Sequence, residues 1–236
     1  MFVTKVTFGL LALLLVFSVR AEEMVRHTNL YQRHLYQRQQ RHQYPKLMDD
    51  IAVNERNIYV PYVIANHYSS REVEVEIIKR GLDSFSYSTC IRFFPCSNER
   101  DYISIESRSG CYSYVGRQGY SQTVSLDRNG CLYHSTVQHE LLHALGFNHE
   151  QTTSKSSGRT SLMVHYMKYN FNKINTLNQG TPYDYSSVMQ YERYAFSKNG
   201  LPTMIPIPNN NAALGTSTEM SQNDIIRISR LYQCCE

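Results

Sequence analysis

The stretch HELLHALGFNHE, residues 139–150, constrains the chain more strongly than any other feature. His139 and His143 are four residues apart, so on a helix their side chains share one face, one turn apart. Gly146 can adopt the left-handed backbone conformation that ends a helix, and the turn that follows can bring His149 towards the same point. The spacing therefore predicts three imidazoles that together bind one zinc ion per chain.

The glutamate inside this stretch predicts that the zinc site is catalytic. Three protein ligands leave one coordination position open, which is typical of catalytic rather than structural zinc sites. Glu140, next to the first histidine, is the candidate general base that removes a proton from a water molecule. The alternative is an ordinary amphipathic helix whose leucines form a core face. The complete pattern H-E-x-x-H-x-x-G-x-x-H, which is the metzincin signature, favours the zinc site.

The first 21 residues have the layout of a secretory signal peptide. One early cation, Lys5, precedes the apolar run FGLLALLLVF, and Ala21 offers a cleavage position. The alternative is a transmembrane anchor, but the apolar run is too short to span a bilayer comfortably. We therefore expect a secreted, extracellular protein without a membrane span, with storage in secretory granules as an option.

The charge of the folded part argues against a nucleic-acid partner. The formal net charge of the chain is +4, but residues 57–236 hold 16 Lys and Arg against 15 Asp and Glu. A nearly neutral domain lacks the basic surface that phosphate binding requires. We expect no nucleic-acid partner, and we expect a monomer.

Residues 22–56 are predicted to be a pro-segment rather than a domain. The part up to Lys46 is rich in Gln, Arg, His and Tyr and poor in aliphatic residues, so it cannot bury much surface on its own. The character of the chain changes at Ile58, where an apolar run begins. We therefore place the globular domain at residues 57–236.

Strands and helices alternate with long loops in this domain, which predicts an α+β fold. Strands are predicted in IYVPYVIA, CIRFF, DYISIES and QTVSLD, and Pro61 indicates an edge or a bend. Three helices are predicted: one capped by Ser69 or Ser70 with Val73, Ile77, Ile78 and Leu82 on its apolar face, one from His134 to Leu145, and one capped by Ser221. The glycine-rich GCYSYVGRQGY and residues 151–200 are predicted to be loops.

Several independent stretches resemble the astacin family. HELLHALGFNHEQ extends the zinc motif as that family does, and TPYDYSSVMQY resembles its methionine turn. TCIRF, DYISI, GCYS, GRQG and QTVSL are also similar, most of all to the fish hatching-enzyme branch. The resemblance covers most of residues 47–236. It implies a secreted zinc endopeptidase whose partners are extracellular protein substrates, egg-envelope proteins among them.

The resemblance also implies an architecture and further site residues. The family fold is a two-lobed zincin, with a mainly parallel twisted sheet and two helices above the cleft and an irregular lower lobe that ends in a helix. Met189 would form the floor beneath the zinc, and Tyr191 would be an additional ligand that leaves the metal to stabilise the oxyanion. The family usually has histidine where Gln190 stands, but that residue is not a ligand there.

Six cysteines in an exported chain permit three disulfides. The resemblance implies two of them, Cys90–Cys234 and Cys111–Cys131. Cys96 and Cys235 are then left over, and we predict a third bond between them. The alternative is that Cys90 and Cys96 exchange partners.

The segment LMDD, residues 47–50, resembles a pro-segment motif of the family in which an aspartate binds the zinc in place of water. The resemblance assigns this role to Asp50 in the latent form. A carboxylate is a competent zinc ligand, so the assignment is chemically sound. The alternative is a solvated acidic turn.

Glu150 directly follows the third histidine, and the group expected to pair with its carboxylate differs from the one in the family. In the family the ammonium of a chain terminus freed by proteolysis approaches this glutamate, and a buried carboxylate is costly without such a partner. Here the strand at Val60 follows Asn57 almost at once, and extended chain spans only about 3.5 Å per residue. We therefore predict that a terminus at Asn57 does not reach Glu150. Either another group pairs with Glu150, or the zymogen form differs from that of the family.

Two functional hypotheses follow from these observations. The first is an active zinc endopeptidase, which the intact Glu140 supports. The second is a zinc-binding but inactive secreted homologue that acts as a binding protein. The short N-terminal stretch and the altered residues 152–162, which lack the family's Arg-Asp pairs, motivate the second hypothesis.

Overall fold

The structure, a computed structural model, describes residues 57–68, 72–154, 160–162 and 171–234, with backbone only for 160–162. Several features predicted from the sequence lie outside these residues: the signal peptide 1–21, the pro-segment 22–56 with Asp50, the capping serines Ser69 and Ser70, and Cys235.

A five-stranded sheet organises the first half of the described chain. Its strands are β1 (Ile58–Ile64), β2 (Ile91–Pro95), β3 (Tyr102–Glu106), β4 (Cys111–Ser113) and β5 (Ser121–Leu126), in the order β2-β1-β3-β5-β4. β1 pairs in parallel with β2 and β3, and β3 pairs in parallel with β5. β4 lies antiparallel to β5 at one edge. The sheet is therefore mainly parallel. Its antiparallel edge strand, β4, lies in the glycine-rich stretch that was predicted to be a loop.

Pro61 lies within β1, which is an interior strand of the sheet. The backbone N–H of Ile58 donates to Cys90 on the β2 side, and alternate residues of a strand face the same neighbour, so the nitrogen of Pro61 faces β3. The pairing of β1 with β3 begins only at Tyr62. The missing N–H of Pro61 therefore leaves no gap in the hydrogen-bond ladder, and β1 is locally an edge at this residue.

The described residues also form three α-helices, α1 (Glu72–Ser88), α2 (His134–Ala144) and α3 (Gln222–Tyr232), and two short 3-10 helices, Asn66–Tyr68 and Glu150–Thr152. α1 buries Ile78 and Leu82 as the sequence predicted, but Val73 is 71% exposed and does not belong to the core face. A Cβ atom at Gly81 of α1 would lie 2.4 Å from Cγ1 of Val137 in α2. Only glycine at residue 81 therefore allows the two helices to approach this closely.

One hydrophobic core joins the sheet, α1 and α2 with the C-terminal helix. Ile228 and Tyr232 of α3 belong to it, and the Tyr232 hydroxyl donates to the carbonyl of Leu145 at 2.8 Å. A disulfide between Cys90 and Cys234 attaches the end of α3 to the start of β2. A second disulfide, Cys111–Cys131, links β4 to the segment before α2.

Cys235, the predicted partner of Cys96, lies outside the described residues, so the third bond stays a prediction. Among the described residues Cys96 has no disulfide partner. Cys90 and Cys96 flank β2, and a strand rises by about 3.3 Å per residue, so their Cα atoms are about 20 Å apart. The Cα atoms of Cys90 and Cys234 are 5.3 Å apart, which is within the range of a disulfide. Cys96 therefore lies too far from Cys234 to take the place of Cys90, and the alternative in which Cys90 and Cys96 exchange partners is excluded.

The region between α2 and α3 has little regular structure. It contains a two-stranded antiparallel pair, β6 (Thr160–Leu162) with β7 (Met204–Pro206). A small second cluster of Phe171, Met204 and Leu214 packs with Tyr191 there. The α+β class predicted from the sequence is correct. Within the described ranges, no helix combines the length and apolar character needed to cross a membrane.

Candidate active site

The histidine motif lies at the C-terminal end of α2, where the helix stops and the chain reverses. Gly146 has φ +99°, which is the left-handed region, and its N–H donates to the carbonyl of His143 at 2.8 Å. The N–H of Phe147 donates to Leu142 at 3.0 Å. These bonds close the helix end and direct the chain back towards the helix face that carries the first two histidines.

The three predicted ligands come together at this turn. Nε2 of His149 lies 3.2 Å from Nε2 of His139 and 3.1 Å from Nε2 of His143. Zinc–nitrogen bonds of about 2.05 Å in a tetrahedral arrangement place ligand nitrogens about 3.3 Å apart. The three imidazoles therefore have the spacing that a single zinc ion requires. Across the described ranges, they are the one group of His, Cys, Asp or Glu side chains close enough to hold a metal ion.

Backbone carbonyls determine which ring nitrogens face the metal position. Nδ1 of His139 lies 2.8 Å from the carbonyl oxygen of Val188, and Nδ1 of His143 lies 2.7 Å from that of Phe147. A carbonyl oxygen can only accept a hydrogen bond, so Nδ1 of each of these two histidines carries the proton and Nε2 keeps a free lone pair for the metal. Burial lowers the pKa of all three imidazoles, to about 3 for His143, so the rings are neutral ligands.

The carboxylate of Glu140 is 4% exposed and lies on the same helix. Its Oε2 atom is buried, and no described residue hydrogen-bonds to it. Burial raises the pKa of this carboxyl to about 8, so a nearby cation is needed to keep it ionised at neutral pH. An unpartnered buried carboxylate oxygen on the residue that follows the first of three convergent histidines fits a zinc site that also holds a reacting water.

Tyr191 packs against the third histidine. Its ring centroid is 4.2 Å from that of His149, and Phe171 and Phe196 contact its other sides at 6.0 and 5.6 Å. Burial raises the pKa of Tyr191 to about 12, and the charge of Glu140 adds to the shift. The hydroxyl is therefore protonated at neutral pH and can donate a hydrogen bond.

Two glutamines hold the backbone of Tyr191. Its N–H donates to Oε1 of Gln151 at 3.2 Å, and its carbonyl accepts from Nε2 of Gln190 at 2.9 Å. The hydroxyl of Tyr183 donates to Oε1 of Gln190 in a short hydrogen bond. Gln190, where the resembling family usually has histidine, therefore has a positioning contact rather than a place among the zinc ligands.

Met189 and Glu150 are joined through their backbones. The N–H of Glu150 donates to the carbonyl of Met189 at 2.9 Å, and both residues are buried. The turn that carries Met189 is thereby fixed against the residue that follows the third histidine. The structure thus brings Met189 next to the ligand segment, and its side chain belongs to the main hydrophobic core.

Glu150 pairs with Arg227 of α3, which the sequence analysis did not identify. Nη1 of Arg227 donates to Oε2 at 2.6 Å and Nη2 donates to Oε1 at 2.9 Å, while the N–H of Asp184 donates to Oε1 at 2.7 Å. Burial raises the pKa of Glu150, but the guanidinium and this N–H oppose the shift, and the two-pronged geometry is that of an ion pair. Glu150 and Arg227 are only 1% and 5% exposed.

Asp224, one turn before Arg227, is a second buried residue that the sequence analysis missed. Its carboxylate accepts from the Ser187 hydroxyl at 2.7 Å and from the Val188 N–H at 3.0 Å. It also forms a capping box with Ser221 at the start of α3. The spacing Ser-x-x-Asp in SQND was a usable sign of that cap, although it gave no sign of the contact with Val188.

Comparison with known proteins agrees with this geometry. The sequence model of the family described as Astacin (Peptidase family M12A) matches residues 50–233. The chain is 45% identical over 181 residues to Low choriolytic enzyme of Oryzias latipes, covering 75% of this chain and 66% of that protein. It is 46% identical over 182 residues to High choriolytic enzyme 1 of the same fish, covering 75% and 67%. The match thus spans about two thirds of these relatives.

A solved structure shares the fold. High choriolytic enzyme 1 of Oryzias latipes, described as a hatching enzyme zinc-protease, superposes with a TM-score of 0.74 at 44% identity, covering 81% of this chain and 94% of that one. The family match extends over most of the chain and includes the three histidines, Glu140 and Tyr191. The chain belongs to the astacin family of zinc metallopeptidases.

Proposed function

We propose that the chain is a secreted zinc endopeptidase that hydrolyses peptide bonds of extracellular proteins. The observation that carries this proposal is the arrangement at the end of α2, where three imidazole nitrogens converge and the residue after the first histidine is the buried Glu140. One oxygen of that carboxylate has no hydrogen-bond partner in the part of the chain that the structure describes. A structural zinc site has no need of such an oxygen, whereas a hydrolytic site needs it to accept a proton.

Each residue of the site has its own role in the proposed hydrolysis. His139, His143 and His149 would hold the zinc ion, which when bound lowers the pKa of a water molecule towards ~7 and polarises a carbonyl group. Glu140 takes the proton of the attacking water and returns it to the leaving nitrogen of the peptide bond. The protonated hydroxyl of Tyr191 donates a hydrogen bond to the oxyanion that develops on the carbonyl oxygen.

The substrate class we propose is extracellular protein, with egg-envelope proteins as the first candidates. The relatives support this choice, since two are choriolytic enzymes and the solved structure is described as a hatching enzyme. The nearly balanced charge of residues 57–236 offers no support for a nucleic-acid partner. We propose that the enzyme acts as a monomer.

Latency and export are the second part of the proposal. Residues 1–21 would direct secretion, with secretory granules as a storage site, and residues 22–56 would form a pro-segment whose Asp50 occupies the zinc until it is removed. N-terminal sequencing of the secreted protein tests this directly. A mature terminus downstream of Asp50 is expected, and an active protein that retains Asp50 would contradict the proposed block.

A zinc-binding but inactive homologue is the competing proposal, because residues 152–162 lack the Arg-Asp pairs expected from the family. The experiment that separates the two is hydrolysis of denatured casein by the processed protein. Glu140→Ala is expected to lower the rate about 10²- to 10⁴-fold, the usual contribution of a general base. Glu76→Ala, an exposed glutamate on α1, is the matched control. Equal rates for the wild type and Glu140→Ala would rule out the proposed mechanism.

A further inference from the structure

We propose that Arg227 is a positioning residue of the zinc site, and that the C-terminal helix supplies the cation on which Glu150 depends. The inference concerns the assembly of the metal site and does not depend on the proposed substrates. It starts from the position of Glu150, which follows the ligand His149 directly and is 1% exposed. A carboxylate this deeply buried is stable only when its charge is paired and its oxygens are hydrogen-bonded.

The described residues meet both requirements of Glu150. Oε2 accepts one hydrogen bond from Arg227, and Oε1 accepts one from Arg227 and one from the N–H of Asp184, at 2.6 to 2.9 Å. One guanidinium therefore neutralises the charge and contacts both oxygens. Among the described residues, Arg227 thus supplies the cation that this buried carboxylate requires.

Arg227 is itself held in a single orientation by the segment before the methionine turn. Its Nε donates to the Thr181 hydroxyl at 2.6 Å, and Nη2 donates to the carbonyl of Pro182 at 2.9 Å. Asp224 lies 3.7 Å from Nη1 as a second acidic neighbour. A planar guanidinium satisfies these acceptors simultaneously, which the single ammonium of a lysine cannot do.

The same helix reaches two of the three ligands through their neighbours. Arg227 fixes Glu150, which is bonded covalently to His149 and whose N–H is held by Met189. One turn earlier, Asp224 holds the N–H of Val188, whose carbonyl orients His139. α3 therefore sets the positions of His139 and His149 relative to each other, although it contributes no ligand.

The test is the zinc affinity of the folded, secreted chain, measured by competition with a chromophoric chelator. Arg227→Met leaves Glu150 charged and unpaired, and we expect zinc binding to weaken about 10- to 100-fold, as for other groups that orient metal ligands. Arg227→Lys keeps the charge and is expected to lose less. Arg230→Met is the matched control on the same helix, because Arg230 is exposed and its guanidinium donates to the carbonyl of Gln179 rather than to a residue of the zinc site.

The double variant Glu150→Gln/Arg227→Met separates charge pairing from other contacts. Gln at residue 150 keeps an acceptor for Asp184 but removes the buried charge, and both variants lose the contacts with Thr181 and Pro182 equally. We expect the double variant to recover most of the zinc affinity that Arg227→Met loses, and to recover folding if Arg227→Met does not fold. The inference is overturned if Arg227→Met binds zinc as tightly as Arg230→Met, or if the double variant recovers neither affinity nor folding.

Discussion

The carbonyl oxygen of Val188 lies 2.8 Å from Nδ1 of His139, so the backbone of the residue before Met189 orients the first zinc ligand. The N–H of Val188 is held in turn by Asp224 at 3.0 Å. The orientation of an imidazole on α2 therefore depends on a carboxylate of α3. This arrangement has measurable consequences for stability.

Asp224→Ala removes the acceptor of the Ser187 hydroxyl and of the Val188 N–H and destroys the capping box of α3. Each buried donor left without a partner costs about 1–3 kcal/mol, so we expect the free energy of unfolding to fall by about 3 kcal/mol. Urea denaturation followed by circular dichroism measures it. Gln222→Ala, an exposed residue of the same helix, should change it by less than about 0.5 kcal/mol.

Much of this site could be predicted from the sequence because its signals are local. The two histidines of α2, the glycine that ends the helix and the third histidine lie within eleven residues, so spacing alone predicts their convergence. The strands β1, β2, β3 and β5 and the helices followed in the same way from periodicity and capping residues.

The rest depends on contacts between distant parts of the chain. Arg227 lies 77 residues from Glu150 and on the polar side of an amphipathic pattern, so nothing local distinguished it from a solvated arginine. The pairing of Cys90 with Cys234, which are 144 residues apart, likewise followed from the family resemblance and not from any local pattern. β4 escaped prediction because three residues in a glycine-rich stretch have too little periodicity to detect.

Gly81→Ala is expected to destabilise the packing of α1 on α2. The added Cβ would lie 2.4 Å from Cγ1 of Val137, a β-branched side chain with little freedom to move away. Overpacking of this kind costs about 1–3 kcal/mol, which thermal and urea unfolding would detect. Gly130→Ala is the control, since a Cβ there meets no atom within 4 Å. Equal stability of the two variants would mean that the helices do not approach as described.

Asp101 provides a pH-dependent contribution to stability. Partial burial raises its pKa, but the Tyr120 N–H and the Arg117 guanidinium outweigh burial and hold the pKa below its usual range. A carboxyl whose pKa is lower in the folded state stabilises the fold above its unfolded pKa of about 3.9 and loses this contribution as the pH falls through the folded value.

Asp101→Asn should therefore reduce the free energy of unfolding by a constant amount above about pH 5, and the difference from the wild type should shrink in more acidic solution. Urea unfolding of the variant and the wild type, measured at several values between pH 3 and pH 7, checks this dependence. Asp83→Asn, at an exposed residue of α1, is the control. A difference that grows as the pH falls has the wrong sign and would contradict the assignment.

Tyr191→Phe separates the proposed role of the hydroxyl from that of the ring. The phenyl ring keeps the contacts with His149, Phe171 and Phe196, so the variant should retain one zinc ion per chain. Loss of one oxyanion donor is expected to lower kcat about 100-fold with a small change in KM. Tyr194→Phe, at a half-exposed residue nearby, should leave kcat unchanged. An unaltered kcat for Tyr191→Phe would remove the hydroxyl from the mechanism.

The measurement that tests the central claim most directly is a zinc titration of the chelator-stripped, processed protein, with peptide hydrolysis followed at each addition. We propose that the three neutral imidazoles and the Glu140 carboxylate act as a single site. Hydrolysis should therefore be absent without metal, rise in proportion to added zinc and reach its plateau at one zinc ion per chain. Hydrolysis that persists after complete removal of zinc, or a fully zinc-loaded protein that cleaves no unfolded substrate, would contradict the account.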